Sequence, residues 1–276
     1  MKQSLMPYGL YYDSGFVTPP DREKILEWLG TLHPIWEMRY PTKSPLPNGK
    51  QQRRLLRPVY WLGNWQFACL DYYRPPHRVK NVAVSAEGYP EPLERLVKKA
   101  EKITRQILKP ADIPRGWHLN TCLINFYGNQ DIDGKKIDCA RVGEHKDFEP
   151  GPVASISFGE RAFFQFVKSA GRGLPSRPVF QQWLADSSLQ IFGGKKWKDE
   201  TFHRVQRVDR KMNFHFPLPV ENFDTRRINF TFRYVPDVDI VPFRGLPAKI
   251  QIEVEDYVRE LAQHSDFFKK ELERKS

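Results

Sequence analysis

Hydrophobic positions along the chain follow two different periods, and the change between them divides the sequence. In "TPPDREKILEWLG", Ile25, Leu26 and Leu29 fall on one side of a helical repeat. Thr18 offers a capping hydroxyl, the prolines suit a first turn and Gly30 closes the run, so a short amphipathic helix is predicted. From Glu91 the apolar positions Leu93, Leu96, Val97, Ala100, Ile103 and Ile107 recur at three and four residues until Lys109 and Pro110, predicting a longer helix that braces a sheet. After Pro114 the texture changes to strands. "HLNTCLINFYG", "VASISFGERAFFQFV", "SSLQIFGG", "TFHRVQRV" and "RRINFTFRYV" have strand length and β-branched or aromatic enrichment. In the second, Gly159, Glu160 and Arg161 separate two apolar runs, which reads as a hairpin. Many strands with little helix between them predict a sandwich, barrel or jelly roll. Ile250, Val254, Val258 and Leu261 then predict a terminal helix packed outside.

Composition narrows the class. The chain has 276 residues, 40% hydrophobic and 13% aromatic, enough for a real core. Three scattered cysteines, Cys69, Cys122 and Cys139, form no CxxC pair and argue against a disulfide framework or thiolate zinc site. No apolar signal core or spanning stretch is present, so a cytoplasmic protein with no membrane partner is expected. A formal charge of +11 makes a polyanion a plausible partner without fixing a function. Between residues 48 and 80, arginines at 53, 54, 57, 74 and 78 interleave with Tyr60, Trp61, Trp65, Phe67, Tyr72 and Tyr73. That composition could grip phosphates and stack on bases, or could equally be hairpins with core aromatics and solvated cations.

Candidate chemistry begins at "GEHKDFEP". In an extended chain, His145 and Asp147 share a face and present an imidazole beside a carboxylate, half of a metal site. A second histidine from a later strand would complete the two-histidine, one-carboxylate triad of non-haem Fe(II) oxygenases; spacing leaves His203 and His215 as alternatives. In "RRINFTFRYV", Arg227, Asn229, Thr231 and Arg233 share one parity and Ile228, Phe230, Phe232 and Tyr234 the other. Two arginines on one strand face suit an intervening carboxylate, although they could also pair with acids across the sheet. Asn125 and Tyr127 add two polar groups at one parity in "LINFYG".

Taken in order, "CLINFY", HxD, "SISFGERAFFQF", "FHRVQ" and "RINFTFR" resemble the AlkB family of Fe(II)- and 2-oxoglutarate-dependent dioxygenases, over about Leu119 to Tyr234. The resemblance implies a mainly β fold with flanking helices around a double-stranded β-helix, or jelly-roll, core. It implies His145, Asp147 and His203 as iron ligands, and Asn125, Tyr127, Arg227, Asn229 and Arg233 as 2-oxoglutarate contacts. Arg227 and Tyr127 would meet the distal carboxylate, with Arg233 nearer the metal. Glu149 would meet the substrate base, and "LGNW" with Trp65 and Tyr72 would form a nucleotide-recognition lid. The implied reaction consumes 2-oxoglutarate and O2 and hydroxylates an N-alkyl carbon of an alkylated nucleic acid; the hemiaminal then releases an aldehyde and restores the base. The expected organisation is residues 1–114 for the helices and lid, 115–236 for the dioxygenase core and 237–276 for a helical extension. A monomer without an obligate protein partner is expected. The segments "GNQDIDGKKIDCARVGE" and "VKSAGRGLPSRPVFQQ" are longer than the family pattern, leaving open a hydroxylase or demethylase of the same superfamily acting on a protein or small molecule. A non-catalytic nucleic-acid-binding module would leave the HxD, histidine and arginine set unexplained, and a cupin-like binder would not need the paired arginines.

Overall fold

The computed structural model describes residues 6–39, 53–70, 83–169, 171, 174–206, 214–218 and 220–274. The chain opens with β1 (Leu10–Asp13) and α1 (Pro19–Leu29), whose Thr18 hydroxyl accepts from the Asp21 amide. Short strands follow: β2 (Met38–Arg39), β3 (Arg53–Arg54), β4 (Val59–Leu62), β5 (Asn64–Trp65) and β6 (Ala83–Ser85). Helix α2 (Glu91–Ile107) buries Leu93, Leu96, Val97 and Ala100, the predicted stripe. The principal strands are β7 (Thr121–Ile132), β8 (Lys135–Asp138), β9 (Val142–His145), β10 (Val153–Gly159), β11 (Ala162–Lys168), β12 (Arg177–Leu184), β13 (Ser188–Phe192), β14 (Phe202–Gln206) and β15 (Phe223–Arg233). β16 (Ile240–Val241), α3 (Ala248–Ala262) and α4 (Asp266–Glu273) end the chain. No helix of the described residues is long and apolar enough to cross a membrane.

Among the described residues, a major sheet runs β1-β13-β10-β15-β7-β4, with β8 joined to β7, and a minor sheet runs β12-β11-β14-β9. The fold is a double-stranded β-helix with flanking helices. Strand parity explains its layering. Ile124, Phe126, Ile156, Ile191, Ile228, Phe230 and Phe232 point outward into one core with Leu29, Leu96, Val97, Val254, Val258 and Phe268 from the helices. Each such side chain removed from water contributes roughly 1.5–3 kcal/mol. The intervening positions, polar in β15 and β10, face the minor sheet and form a cavity.

The predicted hairpin at Gly159 does not form. β10 pairs with β13 and β15, whereas β11 pairs with β12 and β14, so "GER" carries the chain from one sheet to the other. Gly159 has φ +86° and its backbone lies so close to Arg226 and Phe216 that a Cβ would sit 2.4 Å from the Arg226 carbonyl oxygen. That conformation turns the chain out of the major sheet. A hairpin stands instead between β7 and β8, where Asp133 and Gly134 both adopt positive φ, as a two-residue turn requires.

Candidate active site

β9 and β14 lie side by side with His145 and His203 in register, so two residues far apart in sequence become cross-strand neighbours. Their ring centroids are 4.2 Å apart. Asp147 arrives differently from the sequence argument: β9 ends at His145, and the carboxylate lies in the loop beyond it. Arg233 of β15 holds it there, with Nε and Nη2 at 2.8 and 2.7 Å from the same oxygen, Oδ1. The other oxygen, Oδ2, accepts no hydrogen bond and lies 3.5 Å from His203 Nε2. One ligand atom from each of His145, Asp147 and His203 falls within 4.8 Å of the others. His145 Nδ1 contacts the Gly143 carbonyl at 2.9 Å. Because a carbonyl only accepts, Nδ1 carries the proton and Nε2 keeps its lone pair.

Electrostatics favours ligand forms of all three. Burial, aided by the neighbouring His145, holds His203 well below the ordinary imidazole value, and burial lowers His145 against a partial offset from Asp147. Burial alone would raise the Asp147 carboxyl, but Arg233, His203 and Lys198 outweigh it and keep it ionised. The set therefore offers two neutral imidazoles and one carboxylate oxygen without a partner, a donor set that fits a divalent iron. His215, the alternative from spacing, is exposed and contacts Asp224 at 2.6 Å outside this group.

Asn125, Tyr127, Arg227, Asn229 and Arg233 all line the adjoining cavity of about 550 Å³, as does Glu149. Arg227 is 4% exposed; its Nη2 donates to Asn229 Oδ1 at 2.7 Å and Ser157 Oγ at 3.0 Å, and its Nε and Nη1 have no partner. Burial pushes this guanidinium down despite the opposing effect of Tyr127, so an anion beside it would be stabilised. Ser155 and Ser157 both donate to Asn229 Oδ1, and Asn229 Nδ2 donates to Thr231, which fixes the floor between the two arginines. Phe164, Leu184 and Phe192 form an apolar wall. Glu149 is buried, 3.6 Å from Arg233 Nε, and burial raises its carboxyl above the usual range.

Three contributors are not placed at this site by sequence: Arg57 reads only as part of the basic, aromatic stretch, and Lys198 and Gln190 carry no argument. Arg57 donates to Asn125 Oδ1 at 2.9 Å, and its guanidinium, like that of Arg227, lies 4.8 Å from the Tyr127 ring centroid. Lys198, buried before β14, donates to the Asp147 carbonyl at 3.1 Å. Gln190 sits in β13 between Leu189 and Ile191, and a strand buried on both faces hides which parity is functional.

The aromatic lid requires a correction. Trp65 is fully buried: it packs 5.3 Å from Phe67, meets Phe268 of α4 edge-on and donates from Nε1 to Glu37. The C-terminal helices cover it, leaving no face for a base. Tyr72, the other expected lid residue, lies outside the described residues.

A family model described as the 2OG-Fe(II) oxygenase superfamily matches residues 9–233. The solved structure of OsALKBH1 is similar at 20% identity and TM-score 0.50, covering 84% of this chain and 100% of that one. YcfD, a ribosomal oxygenase from Escherichia coli, is similar at 11% identity and TM-score 0.34, over 95% of this chain and 66% of that one. A bsmA homolog from Methylobium petroleophilum aligns at 11% identity and TM-score 0.37, over 83% and 89% of the two chains. No curated protein matches the sequence.

Proposed function

The chain belongs to the 2OG-Fe(II) oxygenase superfamily, and from that premise we propose that it oxidatively dealkylates N-alkylated bases in DNA or RNA. Iron(II), 2-oxoglutarate and O2 are the family's cofactor and cosubstrates; together they oxidise a C–H bond to C–OH as 2-oxoglutarate becomes succinate and carbon dioxide. His145, Asp147 and His203 would hold the iron, with Arg233 fixing the Asp147 carboxylate and Lys198 the Asp147 backbone carbonyl. Arg227, beside Tyr127, would receive the distal carboxylate of 2-oxoglutarate, and Asn125, Asn229 and Arg233 would line its length. The apolar wall excludes water from the reacting end. Glu149, whose carboxyl burial raises above the usual range, can donate a hydrogen bond to a base when protonated or accept one when ionised.

The observation that carries the substrate class is the charge around the cavity. Arg39, Arg54, Arg57, Arg141 and Lys146 line it together with the metal group, so a polyanion would be drawn to the same opening that leads to the metal. An alkylated base would have to enter from a single strand or flip out of a duplex. Burial of Trp65 removes one expected stacking face and so favours, as a second reading, a hydroxylase acting on a protein or small molecule. Formaldehyde release from methylated single- and double-stranded DNA and RNA, run beside succinate formation with peptides, separates the two. Turnover of peptides alone would end the nucleic-acid reading.

A further inference from the structure

One polar side chain in the cavity has unmet needs that the roles above do not use. Gln190 is 1% exposed, lines the cavity, and has no partner at either Oε1 or Nε2. Burying a primary amide with both atoms unpaired is unfavourable, and its neighbours Leu189, Ile191 and Phe192 on β13 are buried apolar side chains. Such a group is explained when a partner arrives after folding.

Register shows what it faces. Gln190 stands opposite Ser155 on β10, and Ser155 stands opposite Thr231 on β15. Ser157, the next residue of the same parity on β10, accepts from Arg227 Nη2. The Arg227 guanidinium therefore leans from β15 over β10, toward the strand that carries Gln190. Their unpaired atoms are Gln190 Nε2, Arg227 Nε and Arg227 Nη1, all donors, against one acceptor, Gln190 Oε1. A surplus of donors matches a group that offers only acceptor oxygens, and a carboxylate is that group.

We propose that Gln190 is a cosubstrate-binding residue, whose Nε2–H donates to the same carboxylate that Arg227 receives. This rests on the assignment of the cavity to 2-oxoglutarate. The amide extends the arginine fork by a donor from a second strand, so the carboxylate is gripped from β13 and β15 at once.

The test pairs 2-oxoglutarate affinity with stability, using Gln190→Leu and Gln190→Glu. Affinity is read by anaerobic calorimetric titration of the Co(II)-loaded full chain, stability by thermal unfolding of the metal-free chain. Gln190→Leu removes an unpaired amide at little change in volume, so the unfolding temperature should hold or rise while Kd for 2-oxoglutarate weakens about tenfold, the loss of one charge-assisted hydrogen bond. Gln190→Glu should weaken it further by placing a carboxylate against a carboxylate. A Kd within twofold of wild type for Gln190→Leu overturns the role, as does a lowered unfolding temperature, which would make the amide structural whatever the affinity. Failure of the wild-type chain to bind 2-oxoglutarate would remove both this role and the cavity's assignment, whereas wild-type binding with an unaffected variant removes only the role of Gln190.

Discussion

Replacing Arg227 by Met tests the anionic end of the cavity most directly. The side chain is almost completely buried, two of its nitrogens have no partner, and its guanidinium is held below its ordinary value by burial. A carboxylate placed there would gain charge-assisted hydrogen bonds in a low-dielectric setting. Their loss costs about 2–5 kcal/mol, roughly thirty-fold to several-thousand-fold in Kd. The fold should tolerate the change, because Met fills similar volume and Asn229 keeps its bonds from Ser155 and Ser157. Calorimetric titration of 2-oxoglutarate into the anaerobic Fe(II) or Co(II) form measures the effect, and the metal's absorption spectrum checks that His145, Asp147 and His203 still bind. A Kd within about threefold of wild type, with the metal bound, would refute the assignment of Arg227 to the cosubstrate.

Exchanging each candidate histidine for alanine should separate them: His203→Ala loses Co(II) binding in an absorption titration, and His215→Ala, altered at an exposed side chain, keeps it. Trp65→Ala should lower stability by about 3–5 kcal/mol in urea melts, as a large core truncation does, and leave any oligonucleotide affinity unchanged at temperatures where the variant is folded. Glu37 titrates against folding. Burial, only partly offset by the Ala68 amide and the Trp65 indole, raises its carboxyl from 4.5 to about 7, so the folded state keeps a proton that the unfolded state releases. This contribution is full below about pH 4.5 and is lost as pH rises through about 7, a total of about 3 kcal/mol. Urea melts at pH 5 and pH 8 should therefore show a steeper fall for wild type than for Glu37→Gln; parallel profiles would mean that Glu37 does not titrate in that range.

Residues of β15 were legible because its outward face is apolar and its inward face polar, so Arg227, Asn229, Thr231 and Arg233 could be assigned to one side from sequence. The proximity of His145 and Asp147 was also anticipated, but from an extended geometry that stops at His145; the carboxylate is brought in by Arg233, a contact no short-range pattern encodes. The hairpin expected at Gly159 failed because two apolar runs joined by three residues look the same whether they pair or part. Only the left-handed backbone at Gly159, packed against Arg226, sends β11 to the other sheet. Trp65 misled for a related reason. Basic and aromatic residues interleave alike in a nucleic-acid groove and in a covered strand, and the covering here comes from α4, some two hundred residues away in sequence.

The same distinction explains why the chemistry could be read further than the substrate. Both arginines and Asn229 ride on one long strand whose period fixes side-chain direction, and the two histidines occupy paired strands whose register sets their separation. The mouth has no such rule. Arg39 and Arg54 sit on two-residue strands, Arg57 on the loop between β3 and β4, and Arg141 on the loop between β8 and β9, where a period of two has no length over which to act. Their charge sums from composition, but their directions depend on which loop packs on which. On the proposed function, substrate preference would be written in the part of the chain where local pattern constrains geometry least, and a sequence with an intact β15 could change its substrate through those loops without disturbing a single inward-facing residue of the strand.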